Sequence, residues 1–281
     1  MKNEGTKSNH IINSLKKSNM TAIALVLVLM VVIASTTSSY FLTAYNLQAL
    51  IRDLAFIGMI AIAQSLLLLV GELDLSVGKI ATLSGILGGL MMVKAGVNSY
   101  LAFLISVLIG AALGAINGLI ITQLRLNSMV VTIGMTGVYG GINLVITKGK
   151  AVTGIPEDIY ILGKGTLMGI PIPFVFTLIV LVIILFLVKK TKTGRYLYAI
   201  GNSRDAAKIL GIPVNKIRVI IYSIVGMISA LAGMLYVARL GSAQSAIGEN
   251  WPMNSIAASV IGGVALTGGI GNPAGALIGA A

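Results

Sequence analysis

Cysteine is absent from this 281-residue chain, which removes disulfides, thiolate metal sites and thiol nucleophiles together. The single histidine, His10, lies in a polar N-terminal tail, and no HExxH, nucleophile elbow or GxxxxGK(S/T) phosphate loop occurs. If ATP is used, another chain must bind it. Charge is scarce too: 10% of residues carry one, against about 25% in an average soluble domain. A water-facing surface cannot be covered with so few, and with 57% hydrophobic residues the bilayer must be the solvent.

Uncharged runs occupy residues 18–51, 54–71, 95–124, 126–147, 165–188, 219–238 and 250–281, and a shorter one, 80–93, becomes long enough if its helix starts at Val77. Most meet the roughly 18 to 20 residues that a helix needs to cross hydrocarbon. Eight spans are expected, centred near residues 30, 62, 86, 112, 137, 179, 228 and 266. Runs this apolar favour helices over barrel strands, so the fold class expected is an all-α polytopic membrane protein. The first run, preceded by a basic tail, is too long for a signal-peptide core and is kept as a span.

Twelve of the twenty Lys and Arg residues fall in two segments, the tail (Lys2, Lys7, Lys16, Lys17) and residues 189–218. Helix alternation puts both on one side, which the positive-inside rule makes cytoplasmic. The opposite loop 148–164 is nearly balanced by Glu157 and Asp158. The net charge of +12 is thus a topology signal and not a nucleic-acid footprint. Residues 1–19 are expected to be a cytoplasmic basic tail, and 20–281 a transmembrane domain carrying the loop 189–218.

Within that loop Ser203-Arg204-Asp205-Ala206-Ala207 begins a short helix. Ser203 is its N-cap, Asp205 complements the macrodipole, Gly211 suits a left-handed C-cap, and Pro213 forbids continuation. About seven residues, roughly 10 Å of helix, are too few to be stable alone, so something must hold it. Successive alanines 206 and 207 offer a shallow surface to a partner. A second segment, 71–78, sets Glu72 and Asp74 in apolar sequence, where each costs about 2.5–3.5 kcal/mol at a helix centre. The third, 254–275, is dense in glycine. Gly268, Gly269 and Gly271 are expected to break its helix. Gly110, Gly114 and Gly118 lie four apart on one face of the fourth span, and Gly137 with Gly141 repeats that spacing in the fifth, both as packing seams.

These segments carry a resemblance. Asp205-Ala206-Ala207 followed by Gly211 resembles the EAA-x-x-x-G signature of ATP-binding-cassette importer permeases, and residues 193–202 are similar to the matching stretch of the branch that imports ribose and other monosaccharides. Gly71, Asp74, Leu75, Ser76 and Gly78 match that branch's Gly-x-x-Asp-Leu-Ser-x-Gly hallmark, with Glu72 where many members have Gly. The run from Ile256 through Gly271 matches its Ile-Ala-Ala to Gly-Gly-x-Gly pattern. The resemblance implies a type II importer permease fold of ten spans, of which eight are expected here, with a duplicated unit and the last two helices missing beyond Ala281. It implies two permease subunits forming a path, ATPase subunits that bind ATP and Mg, and an extracytoplasmic sugar-binding protein, while this chain binds no cofactor and does no bond chemistry.

On that reading residues 203–211 form the ATPase-coupling helix, and Asp74 with Ser76 either hold an unwound helix junction or line the pathway. Asn117, Thr132, Asn143 and Asn254 are further candidates for the lining, and the outer loops 148–164 and 239–253 receive the binding protein. The rival class is a carrier driven by an ion gradient, with Glu72 and Asp74 as its ion ligands. A membrane scaffold or receptor without transport is a third reading. A nucleoside or sugar-derived signal remains open as the solute.

Overall fold

A computed structural model describes residues 19–281, with side chains from Leu25 onward; the tail at 1–18 lies outside the described residues. The chain runs through α1 (Asn19–Thr37), α2 (Ala44–Leu69), α3 (Val77–Val93), α4 (Ser99–Gln123) and α5 (Ser128–Thr147). The next connection holds a 3₁₀ turn, the short α6 (Tyr160–Lys164) and a small hairpin of two-residue strands, β1 (Thr166–Leu167) with β2 (Ile170–Pro171). Then come α7 (Ile172–Lys190), α8 (Lys192–Asn202), α9 (Arg204–Ile209), α10 (Val214–Leu240), α11 (Trp251–Ile261) and α12 (Pro273–Ala280).

Helix starts are written locally: Thr43, Asn98, Asn127, Thr191, Ser203 and Asn272 each accept a first-turn amide on the side chain. Pro173, Pro252 and Pro273 sit in first turns, where no intrahelical N–H is lost. Among the described residues five helices are long and apolar enough to cross a membrane (α2, α4, α5, α7, α10), and Leu25–Thr37 and α3 are shorter apolar ones. The expected eighth span, centred at 266, is not a continuous helix. Residues 262–272 separate α11 from α12, because Gly263, Gly268, Gly269 and Gly271 all take positive φ.

Helix α10 packs most extensively on α4 and next on α3, while α11 and α12 pack on each other and on α2. The α4–α10 contact is the expected seam: a Cβ at Gly110 or Gly114 would run into the backbone of Gly226 or Tyr222. Backbones approach this closely only because no side chains intervene. The spacing in α5 has a different outcome. A Cβ at Gly134, Gly137 or Gly141 would meet nothing within 4 Å, so that stripe is open and seams nothing among the described residues. Phe56, Tyr236 and Trp251 form a ring cluster with Phe56–Tyr236 centroids 4.8 Å apart. Arg239 lies 5.6 Å from two of these rings and pairs with Asp53 at 2.5 Å.

Candidate functional site

Residues 70–76 leave the helix ladder between α2 and α3, and unpaired backbone in an apolar surrounding costs several kcal/mol per group. Several of these groups find partners from elsewhere in the fold, while the amides of Val70, Gly71 and Glu72 bond back to the last carbonyls of α2. The Leu69 carbonyl accepts from Gly269 N at 2.9 Å, and those of Val70 and Gly71 accept from Arg204 Nη2, both at 3.4 Å. Tyr222 donates to the Leu73 carbonyl at 3.3 Å and Thr136 to that of Leu75 at 3.1 Å. Thr132 Oγ1 accepts from Leu75 N at 3.2 Å.

Asp74 fastens the middle of this break. Its Oδ1 accepts from Ser76 N at 2.7 Å and Ser76 Oγ at 2.6 Å, and Asn117 Nδ2 donates to Oδ2 at 3.2 Å and to Ser76 Oγ at 2.8 Å. Tyr139 extends the chain by donating to Asn117 Oδ1 at 2.9 Å. Asp74, Ser76, Asn117 and Thr132 are all fully buried. These bonds tie Asp74 and Ser76 to each other and to α4 at the junction between α2 and α3.

Glu72, where many members of the resembling branch have Gly, is gripped by two arginines. One oxygen, Oε1, accepts from Arg218 Nε at 2.6 Å, is paired with Arg218 Nη2, and lies 2.9 Å from Arg204 Nη2. Glu72 is buried, Arg218 nearly so, and Arg204 partly exposed. Its other oxygen has no partner. Both arginines come from the basic loop, so a carboxylate that is costly in hydrocarbon is neutralised by that loop. The signal was in the sequence: an acid at the end of a span, against eight basic residues in one loop. What sequence order did not show was which bases would reach it.

The second break meets the first at the same place. The glycines at 71, 201, 268 and 269 touch backbone to backbone, and a Cβ at Gly201 would overlap the Leu69 carbonyl and the Gly269 amide. Tyr198 of α8 donates to the Gly271 carbonyl at 2.9 Å. Helices α8 and α9 therefore rest on both breaks at once.

α9 has the predicted ends: Ser203 Oγ accepts from Ala206 N at 3.2 Å and Gly211 has φ 75°. Its surface differs from expectation. Ala207 is turned inward at 1% exposure, because it lies on the face of α9 packed toward the core. The free surface belongs to Ala206 and to Ile209 and Leu210, which are 86% and 76% exposed. Beside it a cavity of about 490 Å³ is lined by Arg125, Arg204, Lys208 and Arg218.

The remaining candidates lie toward the other end of the bundle. Asn143 lines one cavity there and the exposed Asn254 another. They are not joined to the Asp74 network.

The sequence model of the family described as branched-chain amino acid transport system / permease component matches residues 46–281. The ribose import permease protein of Bacillus subtilis is 41% identical over 255 residues, which cover 90% of this chain and 79% of that protein. The L-arabinose ABC transporter permease protein of Azospirillum brasilense is 33% identical, covering 93% and 77%. The autoinducer 2 import system permease protein of Yersinia enterocolitica is 34% identical, covering 92% and 72%. No solved structure matches.

Proposed function

The chain belongs to the branched-chain amino acid transport system / permease component family, and from that membership we propose that it is the membrane permease subunit of an ATP-driven sugar importer. Relatives named for ribose and L-arabinose import support a monosaccharide as solute, and one named for autoinducer 2 supports a sugar-derived signal as the alternative. A multi-pass bundle of apolar helices fits this role. The basic loop supports a cytoplasmic position for α8 and α9, and with it a cytoplasmic N-terminus.

The observation that carries the mechanism is the attachment of Arg204. It is the first residue of α9, and it holds the Glu72 carboxylate and the Val70 and Gly71 carbonyls at the first break. A partner that grips Ile209 and Leu210 and shifts α9 pulls on that break through Arg204, and on the second through Gly201 and Tyr198. Apolar side chains this exposed on a water-facing helix mark a docking surface. The partner is a separate ATPase, which binds ATP and Mg and hydrolyses the nucleotide; this chain performs no bond chemistry. A second permease copy covers the open glycine stripe of α5, and a sugar-binding protein docks on the outer loops. The carboxylates of Glu72 and Asp74 are engaged by Arg204, Arg218, Ser76 and Asn117, which disfavours a cation-coupled carrier.

Reconstitution with the ATPase and binding protein tests this reading: uptake must require ATP and survive collapse of ion gradients. Paired Ile209→Asp and Leu210→Asp substitutions should lower uptake by about tenfold or more, the loss typical of an interface anchor, with membrane insertion unchanged. ATP-independent uptake that collapses with the ion gradient would overturn the assignment.

A further inference from the structure

Part of the loop after α10, at Ala243, Ile247 and Gly248, is buried against the helices. Thr82 Oγ1 of α3 donates to the Ile247 carbonyl at 2.5 Å, and Gly248 packs so closely on Gly78 that a Cβ at Gly78 would overlap the Gly248 carbonyl. That path brings Ser245 and Glu249 to a cavity of about 220 Å³ whose other walls include Lys79 of α3 and Gly140 and Asn143 of α5.

Three features of this cavity are unexplained by packing. Asn143 is 1% exposed, yet among the described residues neither its amide nitrogen nor its oxygen has a hydrogen-bond partner. Such a group loses its full desolvation free energy unless something supplies the bonds. Lys79 is a charged side chain in the first turn of α3, next to the break, and neither it nor Glu249 forms an ion pair among the described residues. An ionisable residue so placed points to a solute or ion path.

We propose that this cavity is a solute site on the transport route, built for one neutral, polyhydroxylated molecule of monosaccharide size. The proposal rests on the importer reading above and adds the position and chemistry of the site. Each sugar hydroxyl both donates and accepts, and the cavity offers matching groups: a carboxylate that accepts, an ammonium that donates, and a buried amide that does both. The volume of about 220 Å³ falls below the roughly 300–1,000 Å³ of drug-sized sites, in keeping with a ligand of monosaccharide size. Asn143 bonds adjacent hydroxyls, and Glu249 and Lys79 orient the ring from the loop and from α3.

The absence of cysteine makes a direct test possible. In the assembled importer, with Ser245→Cys as the sole thiol of this chain, a water-soluble maleimide should label the cavity, and D-ribose should slow labelling of this chain by about tenfold, as saturating occupancy requires. Adding Asn143→Leu should abolish that protection while leaving the labelling rate without sugar the same, which reports an intact fold. Asn143→Gln should restore part of it. If D-ribose, L-arabinose and D-allose each leave the labelling rate unchanged while the unsubstituted importer takes up one of them, the site is overturned. Protection that persists in Asn143→Leu overturns the role of Asn143. Failure of the unsubstituted importer to take up any of the three with ATP breaks the monosaccharide part of the importer reading instead.

Discussion

Residues 70–76 and 262–272 both leave backbone without a helix ladder, and the two solve that problem with different chemistry. The first recruits side chains from other helices: Arg204, Arg218, Asn117, Thr132, Thr136 and Tyr222. The second mostly folds on itself, with Ala265 N donating to the Ile270 carbonyl at 2.9 Å and Val264 N to that of Ser259 at 3.0 Å, around glycines at positive φ. A junction made of side chains can exchange partners when a neighbouring helix moves. One made of glycine backbone can only turn or pack, so it behaves as a fixed bearing. On this comparison the first break is sensitive to polarity and the second to volume.

Four measurements would break or sharpen that contrast, each read from unfolding of the purified chain in detergent by the fluorescence of Trp251, its only tryptophan. The largest effect is expected at Asp74→Leu, which orphans the Ser76 amide and hydroxyl and one Asn117 proton. At about 1–3 kcal/mol for each buried group left unpaired, the loss rivals a typical folding free energy of about 5–15 kcal/mol. Little protein should reach the membrane, whereas Asp74→Asn, which keeps an accepting oxygen, should accumulate.

Next comes Arg218→Met. Leaving Glu72 buried beside only the partly exposed Arg204 should cost about 3–5 kcal/mol, and adding Glu72→Met should recover most of it, because an apolar pair of similar volume needs no compensation. A double variant as unstable as the single one would show that the ion pair is not what binds the first break to the loop.

At the second break Gly269→Ala should cost about 1–2 kcal/mol for the left-handed backbone alone, and more because its Cβ would crowd the Asn202 side chain. Gly211→Ala has the same backbone demand with no neighbour within 4 Å, so the difference between the two isolates the packing cost. The smallest effect is Tyr198→Phe, which removes one hydrogen bond to Gly271 and should cost about 0.5–1.5 kcal/mol. A larger loss there than at Arg218 would reverse the ranking of the two breaks.

The helices could be anticipated because charge gaps and caps are local: Asn98, Asn127 and Ser203 accept first-turn amides on their own helices without help from the rest of the chain. The Gly110–Gly114–Gly118 seam was legible for the same reason, since four-residue spacing puts three glycines on one face. The equally spaced Gly137 and Gly141 were not, because whether a small face is filled depends on a partner outside its own helix. Glu72 looked like a departure from a motif until its distances to Arg204 and Arg218 were known. Ala207 looked available until the rotation of α9 turned it inward.

Composition and the spacing of charges were enough to require a helical bundle in lipid, to mark residues 189–218 as the basic side, and to locate both glycine-bearing breaks, because those consequences follow from solvation and from backbone freedom residue by residue. That the two breaks touch, that a single arginine ties one of them to the short basic helix, and that an unpartnered Asn143 shares a cavity with Lys79 and Glu249 depended on the packing of helices far apart in the chain. Such contacts are set by three-dimensional distance, which no linear spacing encodes.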